Sequence, residues 1–301
     1  MVSIQARIFA TILRLVFRPG WYYSWTRQNT PRDRGGGIGD AVRRPNRGFS
    51  VKPVNAGSVP CAWIEPEEAR AAPLILYLHG GAYTSGSYVT YLDMLGLLAR
   101  AYGVRSLYVD YRLAPRHVFP AAVDDSLEVY RWLLDSGVSP AHVIFAGDSA
   151  GGGLALATML AAHNASLALP AGGTLLSPWT DLEGTGASLE TRRRADPMLK
   201  PPRMKPSGHV YLGGANARSP LASPLFADLS GLPPLLIHVG DAEILLDDST
   251  RFADRAREAG VDVTLRVWPG LFHVFPLFPS ALPEARKAVS EMASFILAHA
   301  R

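Results

Sequence analysis

Cysteine is nearly missing from this chain: its 301 residues include one, Cys61. No intramolecular disulfide can form, which suits a reducing compartment such as the cytoplasm. Cys61 lies in the run Cys61-Ala62-Trp63-Ile64 and reads as a small buried hydrophobe rather than a reactive thiol. Charge is also sparse, 19% of residues against 48% hydrophobic, a balance that excludes intrinsic disorder and suits a well-buried core. No apolar run approaches the roughly 20 residues of a membrane span. Nor does the N-terminus show an uninterrupted apolar stretch followed by a small-residue cleavage site, so no secretory signal is expected. Internal repeats and low-complexity tracts are absent, which excludes a solenoid.

The net charge of +4 is unevenly placed. Residues 1–50 hold nine arginines against Asp33 and Asp40, 9 − 2 = +7, leaving about −3 for the remainder. These arginines are scattered among apolar and turn residues and form no nucleic-acid recognition motif, so nucleic acid is not an expected partner. Met1 to Arg18 reads as an amphipathic helix with Ile4, Ile8, Ile12, Leu15 and Val16 near one face. Packing against its own protein is the preferred reading, with attachment to a membrane surface as the alternative. Oligomeric state is left open, a homodimer included.

Residues 31–48, with Gly35-Gly36-Gly37, read as a connection. From there strand and helix alternate. Short apolar runs at 74–78, 104–109, 143–146, 174–176 and 235–239 mark strands buried on both faces, and 261–267 marks a last one. Helices are expected near 88–101, 120–135, 150–164, 247–259 and 283–300, the fourth closed by Gly260. This is an α/β chain with a mostly parallel central sheet and helices on both faces. Residues 183–232 interrupt the rhythm with Gly, Pro, Ser and Arg, and an insertion of that length is expected to fold over a site as a lid.

Four segments carry chemistry. Gly147-Asp148-Ser149-Ala150-Gly151 sits between a strand and a helix, where a tight turn projects a nucleophilic hydroxyl and only glycine fits beside it. His79-Gly80-Gly81-Ala82-Tyr83 follows the strand 74–78 and can turn backbone N–H groups toward an oxyanion. Gly80, Gly81, Ala82 and Ala150 are the expected donors. His79 itself is read as holding that turn in shape. A serine hydroxyl needs a base, and His273, on the loop after the last strand, is the histidine placed to serve. The acid that orients it should come from the loop 240–248, where Glu243, Asp241 and Asp247 all remain candidates on spacing alone. Such a site requires no metal and no organic cofactor.

Together these segments resemble the hormone-sensitive-lipase-like family of bacterial esterases, of the α/β-hydrolase fold. The shared residues are His79-Gly80-Gly81, Asp110-Tyr111-Arg112-Leu113-Ala114-Pro115, Gly147 to Gly152, Ser177-Pro178-Trp179, and the surroundings of Glu243 and His273. The resemblance implies a catalytic Ser149, Glu243 and His273, with His79, Asp148 and Asp247 as supporting motif residues. It implies a carboxylesterase acting on small esters of short to medium chain. It also implies a helical cap, built from residues 1–45 and the insertion 183–232, over a core of 46–182 and 233–301. Two departures stand out: Ala82 replaces the third glycine of the family's oxyanion motif, and Arg116 replaces a common glutamate. A lactone hydrolase with the same triad, a lipase working at a membrane interface, and a catalytically silent binding protein are the rival readings.

Overall fold

The three-dimensional structure is a computed structural model, and it describes residues 2–16, 48–67 and 73–301. Eight strands form one sheet in the order β1-β2-β4-β3-β5-β6-β7-β8. They are β1 (Phe49–Ala56), β2 (Val59–Pro66), β3 (Leu74–Leu78), β4 (Arg105–Val109), β5 (Val143–Asp148), β6 (Gly172–Leu176), β7 (Leu235–Gly240) and β8 (Val263–Trp268). β2 runs antiparallel to both β1 and β4, and every later pairing is parallel. The six strands expected from apolar runs are all present within a few residues.

The hairpin β1–β2 was not expected. β1 is a half-exposed edge strand carrying Lys52 and Pro53. An edge tolerates proline because one side of the strand makes no ladder bonds.

The helices are α1 (Ile4–Val16), α2 (Leu92–Tyr102), α3 (Ala121–Asp135), α4 (Ala150–Asn164), α5 (Ser188–Thr191), α6 (Pro201–Leu212), α7 (Leu246–Glu258) and α8 (Pro283–His299). α4 is apolar all round, and thirteen of its residues are buried; it is the central helix behind the nucleophile strand. α7 has Asp247 and Asp248 in its first turn and Arg255 and Arg257 in its last, which complements its dipole. Gly260 follows it at φ +83, as a left-handed stop requires. The insertion 183–232 contains α5 and α6. Residues 17–47, which include most of the expected N-terminal cap and connection, lie outside the described residues.

α1 packs in the opposite sense to the sequence expectation. Ala6 and Leu13 are buried, and with Phe9 and Ala10 they face Leu271, Phe272, Phe275 and Leu282. Phe9 stacks on Phe272 with ring centroids 5.7 Å apart. The isoleucine face is the outer one: Ile4, Ile8, Ile12 and Leu15 are 73%, 56%, 49% and 56% exposed. The small Ala6 and Ala10 let the helix approach the loop closely, which a row of isoleucines would prevent. Ser3 anchors the start, donating from its N–H and its hydroxyl to Glu284 at 2.7 and 2.9 Å.

Candidate active site

The functional side chains gather at the C-terminal ends of the central strands. There Asp148 pairs with Leu176, and Leu176 with His238. Ser149 stands between β5 and α4 at φ 53, ψ −122, a strained backbone for a residue with a side chain. A side chain on Gly151 would collide with the carbonyl oxygens of Leu78 and His79, so the turn closes only with glycine there. The elbow is pinned on both sides, Ser149 N–H donating to Leu176 O and Trp179 N–H to Ser149 O, each at 2.8 Å.

The turn His79–Tyr83 follows β3, with Ala82 and Tyr83 at φ +54 and +60. One expected donor is taken. Gly80 N–H donates to Asp148 Oδ1 at 2.8 Å, and the Tyr77 hydroxyl joins the same oxygen at 2.9 Å. A buried carboxylate claims the nearest donors, so Gly80 N–H tethers the turn and, contrary to expectation, is not free to meet an oxyanion. The N–H groups of Gly81, Ala82 and Ala150 have no acceptor among the described residues. Burial pushes the Asp148 carboxyl up to about 6, against the pull of the Tyr77 and Gly80 hydrogen bonds.

His79 is hydrogen-bonded and stacked within the turn. Its Nδ1–H donates to Gly80 O at 2.7 Å, its ring stacks on Tyr111 at 4.1 Å, and burial lowers its pKa to about 4. It is neutral and spoken for. The segment around Asp110–Pro115 supports the turn from behind. The Tyr111 hydroxyl donates to His79 O at 2.6 Å, and Ala114 N–H donates to Tyr83 O at 2.9 Å.

Of the three candidate acids, the structure brings Glu243 to His273. Glu243 Oε2 and His273 Nδ1 lie 2.7 Å apart, and both residues are buried. Asp241 accepts Gly270 N–H at 2.6 Å instead. Asp247 accepts Ser188 N–H at 2.9 Å, tying α7 to the insertion. The other oxygen of Glu243 accepts the Ser177 hydroxyl at 2.9 Å and Gly240 N–H. A further carboxylate, Asp196 of the insertion, accepts Ile244 N–H at 2.9 Å and so fixes the residue after Glu243.

Burial by itself would lower the His273 pKa. The hydrogen bond and charge of Glu243, with Asp196 and Asp148 behind it, outweigh burial and hold His273 above the ordinary histidine value. The buried Glu243 occupies Nδ1 and leaves Nε2 for a reacting group. Ser149 Oγ and His273 Nε2 share no hydrogen bond among those of the described residues. Catalytic hydrogen bonds are often long without a bound substrate and tighten only in the complex. Among the described residues no three His, Cys, Asp or Glu side chains converge as a metal site.

Tyr77, Tyr111, Ser177 and Asp196 are the site residues whose parts the sequence reading did not assign. Tyr111 and Ser177 lie within segments noted for their resemblance, whereas Tyr77 is hidden in an apolar run and Asp196 comes after Arg192-Arg193-Arg194-Ala195 without any distinguishing pattern.

Comparison with known proteins places this geometry. Residues 75–277 match a family described as having the alpha/beta hydrolase fold. The chain is 41% identical over 243 residues to an acetyl-hydrolase of Streptomyces hygroscopicus, covering 81% of each chain. It is 37% identical over 251 residues to an esterase of Acinetobacter venetianus, covering 83% of this chain and 82% of the relative. Among solved structures, EstE5 soaked with p-nitrophenyl butyrate superposes with a TM-score of 0.88 at 39% identity, covering 98% of both chains. An esterase of the bacterial hormone-sensitive lipase family superposes with a TM-score of 0.87 at 39% identity over 100% of both. The protein therefore belongs to the α/β-hydrolase fold family and is an ester hydrolase of its bacterial hormone-sensitive-lipase branch.

Proposed function

We propose that this enzyme is a serine carboxylesterase that cleaves short-to-medium-chain esters through an acyl-enzyme on Ser149. The observation that carries the reading is the buried Glu243–His273 pair at 2.7 Å, set at the same end of the sheet as Ser149 on its strained turn. His273 Nε2 takes the Ser149 proton as Oγ attacks the ester carbonyl. The carbonyl oxygen becomes an oxyanion facing the N–H groups of Gly81, Ala82 and Ala150. His273 then returns the proton to the departing alcohol. Water, deprotonated by the same imidazole, attacks the acyl-enzyme and releases the acid, restoring Ser149. Glu243 keeps the proton of His273 on Nδ1, so the nitrogen facing Ser149 is the one able to accept.

Residues 183–232, with α1, are read as the cap over this site. Asp196 reaches from the insertion to the acid loop, and Tyr211 of α6 stacks on Tyr83 of the oxyanion turn at 3.6 Å. That aromatic contact, with Trp179 6.4 Å from Tyr83, narrows the space beside the turn and favours short acyl chains. Relatives are named acetyl-hydrolase and ethyl acetate hydrolase, which points the same way. A p-nitrophenyl ester series from acetate to palmitate is expected to give kcat/KM highest at acetate or butyrate and at least about tenfold lower at palmitate. That corresponds to about 1.4 kcal/mol of discrimination. A maximum at palmitate would overturn the chain-length reading. Inactivity on every ester, with ring opening of lactones, would favour a lactone hydrolase.

The outward isoleucine face of α1 supports a second reading, work at a lipid interface. α1 carries Arg7 and Arg14 and no acid, and Arg14 donates to Ala195 O beside the exposed Arg193 and Arg194. An apolar stripe bordered by arginines suits an anionic surface. No helix among the described residues is long and apolar enough to cross a membrane. Co-sedimentation with vesicles containing phosphatidylglycerol, lost on Ile8→Asp/Ile12→Asp, is the expected result under this reading. No sedimentation of the intact chain removes it.

A further inference from the structure

Ser177 takes no part in the acyl transfer described above, yet its hydroxyl touches both Glu243, the partner of His273, and the backbone of Val274, the residue after His273. It lies at the end of β6 at φ +47, a left-handed conformation that serine rarely adopts. Its own N–H is fixed by His238 O at 2.7 Å. Held in this way, the hydroxyl donates to Glu243 Oε1 at 2.9 Å and accepts Val274 N–H at 3.2 Å. Val274, the residue after His273, is itself at φ +51. One hydroxyl thus joins the acid loop after β7 to the base loop after β8. Ser177 is only 1% exposed, and Glu243 is fully buried, so water does not compete for these bonds.

We infer that Ser177 is a positioning residue that selects the working rotamer of Glu243 and sets the His273 loop in register with it. The inference rests on the serine-esterase reading. Its physical basis is the length of the acid. A glutamate has one more rotatable bond than an aspartate would have. The extra freedom is removed at Oε1, where Ser177 Oγ–H and Gly240 N–H both donate. With Oε1 held by two donors, Oε2 is left pointing at His273 Nδ1. The second bond, from Val274 N–H, works from the other side by fixing the backbone on which His273 stands. Loss of the hydroxyl frees the Glu243 carboxylate to turn and leaves Val274 N–H unpaired.

The test is a double-mutant cycle on the intact enzyme, with p-nitrophenyl butyrate as substrate. Ser177→Ala in the wild-type background is expected to lower kcat roughly 10- to 100-fold, the scale of a displacement of about 1 Å in a catalytic group, with KM within about threefold. In the Glu243→Ala background the same substitution should change kcat by less than about twofold, because the group that Ser177 positions is already gone. Ser177→Gly separates hydroxyl from backbone, since glycine relieves the positive φ but also lacks the hydroxyl. It should lose kcat as alanine does, and it keeps the test decisive where the alanine variant folds poorly. Wild-type kcat in either variant, or an equal loss with and without Glu243, would overturn the inference. A Glu243→Ala enzyme with undiminished turnover would instead overturn the triad reading on which it rests.

Discussion

Ser149→Ala is expected to lower kcat on p-nitrophenyl butyrate by on the order of 10⁴- to 10⁶-fold, with the fold intact. Without Oγ no acyl-enzyme can form, and the remaining catalysis is what the oxyanion donors give to direct attack by water. That residue of activity is worth about 10³- to 10⁴-fold over the uncatalysed reaction. Stability should barely change. The Ser149 hydroxyl has no hydrogen-bond partner among the described residues, and alanine at φ 53 carries the same backbone strain as serine. Far-UV circular dichroism should match wild type. Tm should shift by no more than the few degrees that about 1 kcal/mol produces in a chain of this size. A large fall in Tm accompanying the lost turnover would assign Ser149 a structural part, and retained turnover would move the nucleophile elsewhere.

Glu243→Gln should cost roughly 10³- to 10⁴-fold in kcat for a reason readable from the hydrogen bonds. Two donors, the Ser177 hydroxyl and Gly240 N–H, converge on Oε1. A glutamine will therefore place its carbonyl oxygen there and turn its NH₂ toward His273. Nδ1 must then accept, so the ring proton moves to Nε2, the nitrogen that has to be free to deprotonate Ser149. The pH profile gives a second signature. Only neutral His273 can act as base, so kcat/KM rises with pH through the His273 pKa. In the wild type Glu243 holds that pKa up against burial. With a neutral glutamine, burial dominates and the pKa falls. The acid limb of the profile should thus move to lower pH even as the maximum collapses. An acid limb that stays in place would show that Glu243 does not govern the titrating group.

The parts of this molecule that were legible in its sequence are those set by short-range rules. β3 to β8 announced themselves as apolar runs because a parallel strand buried on both faces can carry little else. The tight turn at Ser149 and Gly151 was legible because a strand-to-helix turn of this kind leaves no room for a side chain at Gly151. The place of His273 on the loop after β8 followed from chain order. The hairpin β1–β2 escaped because an edge strand with Lys52 and Pro53, half open to solvent, has no strong pattern to read. α1 was correctly seen as a helix, but its hydrophobic period could not tell which apolar face would turn inward. The face of Ala6, Phe9, Ala10 and Leu13 turned inward, where Phe9 packs on Phe272 and Phe278.

The finer features of the site depend on contacts between residues far apart in the chain. Gly80 looked like one oxyanion donor among four, and only the fold shows its N–H spent on Asp148, 68 residues away. Spacing left Glu243, Asp241 and Asp247 equivalent, since all lie within one short loop; direction decides among them, and Asp247 points to Ser188 of the insertion. Ser177 was visible as part of a resemblance but not as a bridge between two loops. Its reach comes from a positive φ that no sequence rule assigns to serine.

The most direct test of the central claim is covalent trapping of the nucleophile with a fluorophosphonate, followed by intact-mass measurement and peptide mapping. A serine made nucleophilic by His273 attacks phosphorus and expels fluoride, leaving one stable phosphonyl ester. The account predicts a single adduct on Ser149 and esterase activity falling in proportion to labelling. It also predicts no adduct on Ser149→Ala. An adduct mapped to another residue, or full hydrolysis by enzyme fully labelled at Ser149, would contradict it.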